Sequence, residues 1–134
     1  MDLKSIWQNI IASHRMKEIR DILFKMDHSY IKDILADHPI VLFMKGTPDQ
    51  PACGFSRIVS TLLSLHKAPF YSMDVLDDPK LRQDMKDFSC WPTFPQLYVN
   101  GELIGGCDIV QDLHESKKLG EILAKGANAN EQAS

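Results

Sequence analysis

Apolar residues between positions 29 and 105 fall into short blocks that follow two different periods. The run Ile40–Met44 is continuous and apolar, which is typical of a strand that is covered on both faces. Segments 53–66 and 79–88 place apolar residues three and four positions apart, which predicts two helices. A second strand is predicted over 70–75, between these helices.

Cap and turn residues mark the boundaries of these blocks. The triplet at 27–29 is a helix start signal with Asp27 or Ser29 as the cap, and Pro39 ends that helix because the residue before a proline avoids the α region. Asp78 and Pro79 open the 79–88 helix as its cap and its first residue.

The C-terminal third begins with a hairpin signal. Asn100 and Gly101 separate the blocks 96–99 and 102–104, and both turn positions of such a hairpin need positive φ. Asp108 is placed to cap a last helix from Ile109 to about Ala124. Residues 126–134 are small and polar, which predicts a frayed tail.

These elements predict an α/β domain over residues 27–125. A right-handed strand–helix–strand crossover makes the first two strands parallel, and the hairpin adds an antiparallel pair. The expected architecture is a four-stranded mixed sheet sandwiched by helices. Residues 1–26 carry apolar positions at helical spacing and are predicted to form a helical N-terminal extension.

Composition narrows the functional classes. A chain of 134 residues suggests one folded domain, and a net charge of −3 without a basic run gives no support to nucleic-acid binding. No apolar stretch approaches the length of a membrane span. The N-terminus carries acids among its basic residues, unlike a mitochondrial presequence, so the cytoplasm is the expected compartment and the mitochondrion the alternative.

The chain has three cysteines, Cys53, Cys90 and Cys107, with no CxxC pair. An odd, scattered set without an export signal favours a reducing compartment and reactive or ligand thiols. The five histidines show no metal-ligand spacing, so solvated or capping side chains are expected.

Cys53 stands where the predicted buried strand passes through a Pro/Gly-rich loop to a helix N-terminus. The unpaired N–H groups and the dipole at such a terminus favour an anion, and Lys45 lies a few residues upstream. Both effects lower the pKa of a thiol, and the thiolate attacks disulfides or binds metal.

Three segments together resemble the monothiol glutaredoxins of the CGFS type over residues 29–123. They are 45–56 with Cys53-Gly54-Phe55-Ser56, 91–97 with Trp91-Pro92-Thr93-Phe94-Pro95, and 101–108 with Gly105-Gly106-Cys107-Asp108. The resemblance implies a thioredoxin fold and a cis peptide bond before Pro95, which turns the Phe94 backbone toward the active thiol. It also places Ser56 where dithiol relatives have a second cysteine that resolves mixed disulfides.

The resemblance further implies a glutathione site. Lys45 and Arg82 would engage the glycine end, the Asp108 backbone N–H and carboxylate would hold the γ-glutamyl end, and Thr93 and Phe94 would flank the cysteine. The residues that it implies for glutathione are Lys45, Arg82, Thr93, Phe94, Pro95, Cys107 and Asp108.

In this family a 2Fe–2S cluster is bridged between two subunits, so the resemblance implies a cluster carrier with Cys53 as the metal ligand. Four thiolates commonly hold such a cluster, and one Cys53 and one glutathione from each of two subunits supply four. The implied partners are a second copy, a BolA-type protein and recipient apoproteins. Two alternatives stay open: a monothiol oxidoreductase that removes glutathione from protein thiols, and an adaptor that senses cluster status.

Three features are left with open or divergent roles. Cys107 would form a disulfide with Cys53 under oxidation, or serve as a small buried residue. Cys90 lies outside the family pattern and is expected to be a spectator. Lys117 replaces the glycine that is usual between two final helices, so a tight turn is not predicted there.

Overall fold

The computed structural model describes residues 28–132, with side chains as far as Ala127, and the single position Ile19. The predicted helical extension over residues 1–26 and the predicted cap Asp27 therefore lie outside the described residues. The elements within 28–132 are α1 (Ser29–Asp37), β1 (Ile40–Met44), α2 (Gly54–Leu65), β2 (Tyr71–Asp74), α3 (Pro79–Ser89), β3 (Gln96–Val99), β4 (Glu102–Gly105), α4 (Cys107–Glu115) and α5 (Leu119–Gln132).

The four strands form one mixed sheet in the order β2-β1-β3-β4. β1 is parallel to β2 and antiparallel to β3, and β4 pairs with β3 in the antiparallel sense. Asn100 and Gly101, at φ 52° and 81°, make the turn between β3 and β4 as predicted. The predicted four-stranded mixed sheet is confirmed.

β1 lies in the middle of the core, because all five of its residues are buried. Alternate residues of the sheet point to opposite faces, so two apolar layers form. One layer joins Leu42 and Met44 to helices α2, α4 and α5, and the other joins Phe43 and Tyr98 to helices α1 and α3. This explains the continuous apolar run in the sequence, since a strand covered on both faces has no polar side.

The helix starts follow the sequence prediction in one case and differ in another. The Asp78 carboxylate accepts a hydrogen bond from the Leu81 N–H over 3.1 Å and Pro79 is the first residue of α3, as predicted. Helix α1 instead has His28 at its N-cap, with no hydrogen bond from the side chain to the helix backbone.

The C-terminal region contains two helices within the described chain, where one helix over 109–124 is predicted. Helix α4 ends at Glu115 and α5 begins at Leu119. Lys117 adopts a left-handed conformation with φ 63°, so the tight turn forms although a lysine occupies the usual glycine position. The predicted cap is also wrong: Gly106 is the N-cap of α4, and Asp108 lies inside its first turn.

Helix α5 continues past residue 126, where the sequence predicts that a frayed tail begins. Gly126 is buried, and a Cβ atom there would lie 2.9 Å from Cγ1 of Ile40 and 3.0 Å from Cγ1 of Val99. The glycine therefore lets the helix approach the sheet closely. Since α5 extends to Gln132, the tail prediction starts too early.

Candidate functional site

The loop between β1 and α2 is closed by its own backbone. The Ala52 N–H donates to the Lys45 carbonyl over 2.9 Å, and Gly46 has φ 88°. A Cβ atom on Gly46 would lie 2.5 Å from the Gln50 carbonyl oxygen, so this position requires glycine. The Asp74 carboxylate accepts the Gly46 N–H over 2.9 Å, which ties the loop to the end of β2.

This loop places Cys53 at the N-cap of α2, where its sulfur accepts the Ser56 N–H over 3.4 Å. Ser56 is completely buried, and its hydroxyl oxygen accepts the Lys45 backbone N–H over 3.0 Å. The same hydroxyl lies 3.3 Å from the Cys53 sulfur. Because a backbone N–H already points at the oxygen, the hydroxyl hydrogen is available to donate to a thiolate.

The surroundings of Cys53 lower the pKa of its thiol. Partial burial raises this pKa, but hydrogen bonds from the Ser56 hydroxyl and from the backbone N–H groups of Ser56 and Phe55, together with the positive charge of Lys45, lower it by more. Ser56 therefore has a role of its own at the position where dithiol relatives have a second cysteine, because its hydroxyl stabilises the Cys53 thiolate. The predicted activation of Cys53 has a physical cause.

A groove of about 430 Å³ lies beside this thiol. Six residues that the family resemblance implies for the site line it: Lys45, Thr93, Phe94, Pro95, Cys107 and Asp108. Cys53 is not part of the lining, but it lies close enough to the lining residue Cys107 for its charge to raise the pKa of that thiol. The structure therefore brings the implied residues of segments 45–56, 91–97 and 101–108 together at one place.

Four further residues line the groove that sequence reasoning did not single out as site residues. Phe55, Trp91 and Ile109 are 61%, 36% and 38% exposed and give the groove an apolar rim. Gly106 completes the wall, where a Cβ atom would lie 3.3 Å from the Pro95 carbonyl oxygen. The sequence did contain a signal for this rim, because large apolar residues occur within otherwise polar, Pro/Gly-rich motifs.

The Phe94–Pro95 peptide bond is cis, as the resemblance implies. The Phe94 side chain is buried in the layer with Phe43 and Tyr98. Gly54 borders open space, because a Cβ atom there would meet nothing within 4 Å.

Arg82 is the one implied glutathione residue that does not line the groove. It borders a separate depression of about 400 Å³, together with Pro79, Gln83 and Lys86. Arg82 and Lys86 are one helical turn apart on α3, so this depression is positively charged.

The two other cysteines differ from Cys53. Cys107 is buried, and burial together with the charges of Asp108 and Cys53 raises the pKa of its thiol. This environment favours the interpretation of Cys107 as a small buried residue. Cys90 is exposed at the C-terminal end of α3, with φ 54°, and does not line the groove.

Two of the histidines form a pair, which the sequence did not predict. His66 Nε2 lies 3.0 Å from His114 Nδ1, where the end of α2 meets α4. Within residues 28–132, the one group of three potential metal ligands is His28, Asp84 and Asp87, and it contains no cysteine.

Comparison with known proteins identifies the family. The sequence model of the Glutaredoxin family matches residues 40–104. The chain is 50% identical over 94 residues to Probable monothiol glutaredoxin 2 of Rickettsia typhi, covering 70% of this chain and 85% of that protein. The chain belongs to the monothiol glutaredoxins.

This monothiol glutaredoxin is also 53% identical over 92 residues to Monothiol glutaredoxin-S11 of Oryza sativa subsp. japonica. That match covers 69% of this chain but only 19% of the much longer relative. The solution structure of reduced poplar apo GrxS14 superposes with a TM-score of 0.66 and 45% identity, covering 74% of this chain and 91% of the other. These likenesses confirm the glutaredoxin family and its thioredoxin fold. Among the described helices, none has the length and hydropathy needed to cross a bilayer.

Proposed function

We propose that this glutaredoxin binds glutathione beside Cys53 and is a carrier of 2Fe–2S clusters. Each cluster would be held in a bridge between two subunits. The observation that carries the proposal is the Cys53–Ser56 pair. A thiol of lowered pKa faces a buried hydroxyl, which stabilises the thiolate but cannot resolve a mixed disulfide as a second thiol would. Such a site suits a ligand thiolate better than a dithiol reductase.

The groove beside Cys53 matches the chemistry of an anionic tripeptide. Its lining offers the Lys45 cation, the N-terminal turn of α4 at Asp108, and the backbone of the Thr93–Pro95 segment. A cation and a helix N-terminus both favour carboxylates, while the Asp108 carboxylate suits an ammonium group. The placement of the glycine end at Arg82 is a proposal that extends the ligand beyond the groove itself.

The donor set explains why two subunits and glutathione are needed. A 2Fe–2S cluster is commonly held by four thiolates, and Cys53 is the thiol with a lowered pKa in the described part of this chain. Cys107 is buried with a raised pKa, so it is a poor ligand. Two Cys53 thiolates and two glutathione thiolates complete the set. Because glutathione is held without a covalent bond, it leaves together with the cluster, which suits a carrier.

Anaerobic reconstitution with iron, sulfide and glutathione tests this proposal. We expect a coloured product with visible charge-transfer bands that is absent without glutathione and absent in Cys53→Ser. Cys90→Ala is the matched control, because it removes an exposed thiol that does not line the groove. Colour that persists in Cys53→Ser, or that forms equally without glutathione, would contradict the proposal.

The lowered pKa of Cys53 also favours a second function, removal of glutathione from protein thiols. The Cys53 thiolate would attack the glutathionyl sulfur, releasing the protein thiolate and leaving a Cys53–glutathione disulfide. A second glutathione would then restore Cys53 and leave as oxidised glutathione. Turnover of a glutathionylated peptide by wild type and by Cys90→Ala, but not by Cys53→Ser, would support this activity. Strong turnover by a protein that stays colourless on reconstitution would make it the main function.

The partners and the compartment are part of the proposal. We infer a cluster-bridged homodimer, an exchange partner of the BolA type, and apo iron–sulfur proteins as recipients. The cytoplasm is the proposed compartment, with the mitochondrion as the alternative. A transfer assay tests the carrier role directly. The coloured dimer is mixed with an apo-ferredoxin, and the visible spectrum shows whether the cluster moves to the ferredoxin.

A further inference from the structure

Gln96 places a polar side chain inside an apolar layer of the core. It is completely buried at the start of β3, where it pairs with Phe43 of β1. It lies two residues before Tyr98 and so shares its face of the sheet. An amide buried without hydrogen-bond partners is unfavourable, so the partners of Gln96 show which part of the fold its side chain stabilises.

All three polar contacts of the Gln96 side chain are made within the molecule. Its Nε2 donates to the carbonyl oxygens of Trp91 over 3.0 Å and Thr93 over 3.1 Å. Its Oε1 accepts from the Tyr98 hydroxyl over 3.4 Å. Carbonyl oxygens only accept, so the NH₂ end of the amide must face the loop.

The two carbonyls belong to the segment that forms one wall of the groove. Residues 91–95 adopt neither helix nor strand, and Trp91 and Thr93 both line the groove. The Ser89 hydroxyl also lies 3.2 Å from the Trp91 carbonyl, but its single hydrogen has a closer acceptor in the Met85 carbonyl at 2.6 Å. Gln96 is therefore the side chain that hydrogen-bonds to both wall residues from the core side of the loop.

We propose that Gln96 is a positioning residue for glutathione, acting through the carbonyls of Trp91 and Thr93 without touching the ligand. This inference rests on the proposed glutathione site. Without both amide hydrogens, the wall of the groove is free to shift relative to Lys45 and Asp108. The pKa of Cys53 should not change, because its hydrogen-bond donors lie on α2.

Two variants and one control test this role. Gln96→Glu keeps the shape of the side chain but replaces the NH₂ group with a carboxyl oxygen, which donates to at most one of the two carbonyls when protonated and to neither when ionised. Gln96→Met removes the polar group without adding charge. Tyr98→Phe is the matched control, because it disturbs the same buried cluster but leaves both amide hydrogens on the loop. Calorimetric glutathione titration, thiolate absorbance against pH, and the thermal midpoint are measured for each protein.

We expect both Gln96 variants to bind glutathione about tenfold more weakly, because ordering the loosened wall on binding would cost up to about the free energy of one net hydrogen bond. In a turnover assay the KM for glutathione should rise while kcat changes little. Tyr98→Phe should lower the thermal midpoint but keep the glutathione affinity within about twofold. The midpoint of Cys53 ionisation should be the same in wild type, Gln96→Met and Tyr98→Phe, which add no charge.

Unchanged glutathione affinity in a folded Gln96 variant overturns the inference. If wild type itself does not bind glutathione, the proposed function fails instead, so the two failures are distinguishable. Should neither Gln96 variant fold, NMR of wild type decides. The Gln96 side-chain NH₂ signals should shift and become better protected from hydrogen exchange when glutathione is added, and signals that stay unchanged refute the proposal.

Discussion

The Ser56 hydroxyl links the backbone of the active loop to the sulfur of Cys53. It accepts the Lys45 N–H and lies 3.3 Å from the thiol, so one buried oxygen both holds the loop and stabilises the thiolate. The sequence shows that a serine replaces a second cysteine, but not that its hydroxyl is buried against the sulfur. That burial depends on how the loop closes, because Lys45, whose N–H the hydroxyl also accepts, lies eleven residues away in the sequence.

Ser56→Ala should raise the pKa of the Cys53 thiol, because it removes a donor to the thiolate. Alkylation of Cys53 at neutral pH should slow by about three- to tenfold, as for the loss of a typical net hydrogen bond. The rate against pH is the measurement, since the reactive fraction rises as pH passes the thiol pKa. The wild-type midpoint should lie below the ordinary value of a free cysteine, and the variant midpoint should be higher.

Ser60→Ala is the control for this experiment. Ser60 is also buried on α2, one turn further along, but its hydroxyl donates to the Arg57 carbonyl over 3.1 Å and not to the sulfur. We expect an unchanged alkylation midpoint in this variant. A Ser56→Ala midpoint equal to that of wild type would show that the hydroxyl does not stabilise the thiolate.

At the scale of elements, the ends of the helices differ most from the sequence prediction. The break between α4 and α5 occurs at 116–118, where lysines favour helix and no glycine or proline marks a stop. Lys117 nevertheless adopts φ 63°, since the packing of both helices against the sheet outweighs local preference. The Asn100–Gly101 turn and the Asp78 cap were predictable because each depends only on neighbouring residues.

Lys117→Gly should stabilise the protein. A left-handed backbone costs a residue with a Cβ about 1 kcal/mol, and glycine avoids this cost. The free energy of unfolding in urea should therefore rise by roughly 0.5–1 kcal/mol. Lys118→Gly serves as the control and should lower it or leave it unchanged, because Lys118 lacks a positive φ. A loss of stability in Lys117→Gly would contradict the left-handed turn.

Gly126→Ala tests whether α5 packs on the sheet beyond the point where a tail is predicted. The added methyl group would press on Ile40 and Val99 at about 3 Å, and overpacking costs about 1–3 kcal/mol. Gly120→Ala is the control on the same helix, because its methyl would meet His66 at an ordinary 3.5 Å. We expect chemical denaturation to show lower stability for Gly126→Ala than for Gly120→Ala. Equal stabilities would mean that Gly126 is not packed against the sheet.

At the scale of the whole molecule, three segments that are distant in the sequence meet at one groove. Their motifs predicted the implied residues Lys45, Thr93 and Asp108, because family patterns record residues that act together. They did not predict the apolar rim at Trp91 and Ile109, since exposure depends on which surfaces the fold leaves uncovered. The apolar run of β1 predicted the centre of the core, because a strand that is buried on both faces has apolar residues at every position.

Arg82 is the implied glutathione residue that the fold places at a different depression, so its role stays a prediction. Its helix is predicted correctly, yet the side chain borders a different depression from that of the other implied residues. Whether one ligand extends across both sites is a question of ligand length and orientation. The apolar periodicity that predicts the helix gives no information on the length or the orientation of a ligand.

Native mass spectrometry of the reconstituted protein tests the central proposal most directly, because it weighs the intact complex. We expect a species of two chains, one 2Fe–2S cluster and two glutathione molecules, and its loss in Cys53→Ser. Cys90→Ala should give the same assembly as wild type. A cluster-bearing species that contains no glutathione, or a protein that remains a cluster-free monomer, would contradict the proposal that Cys53 and glutathione share the cluster.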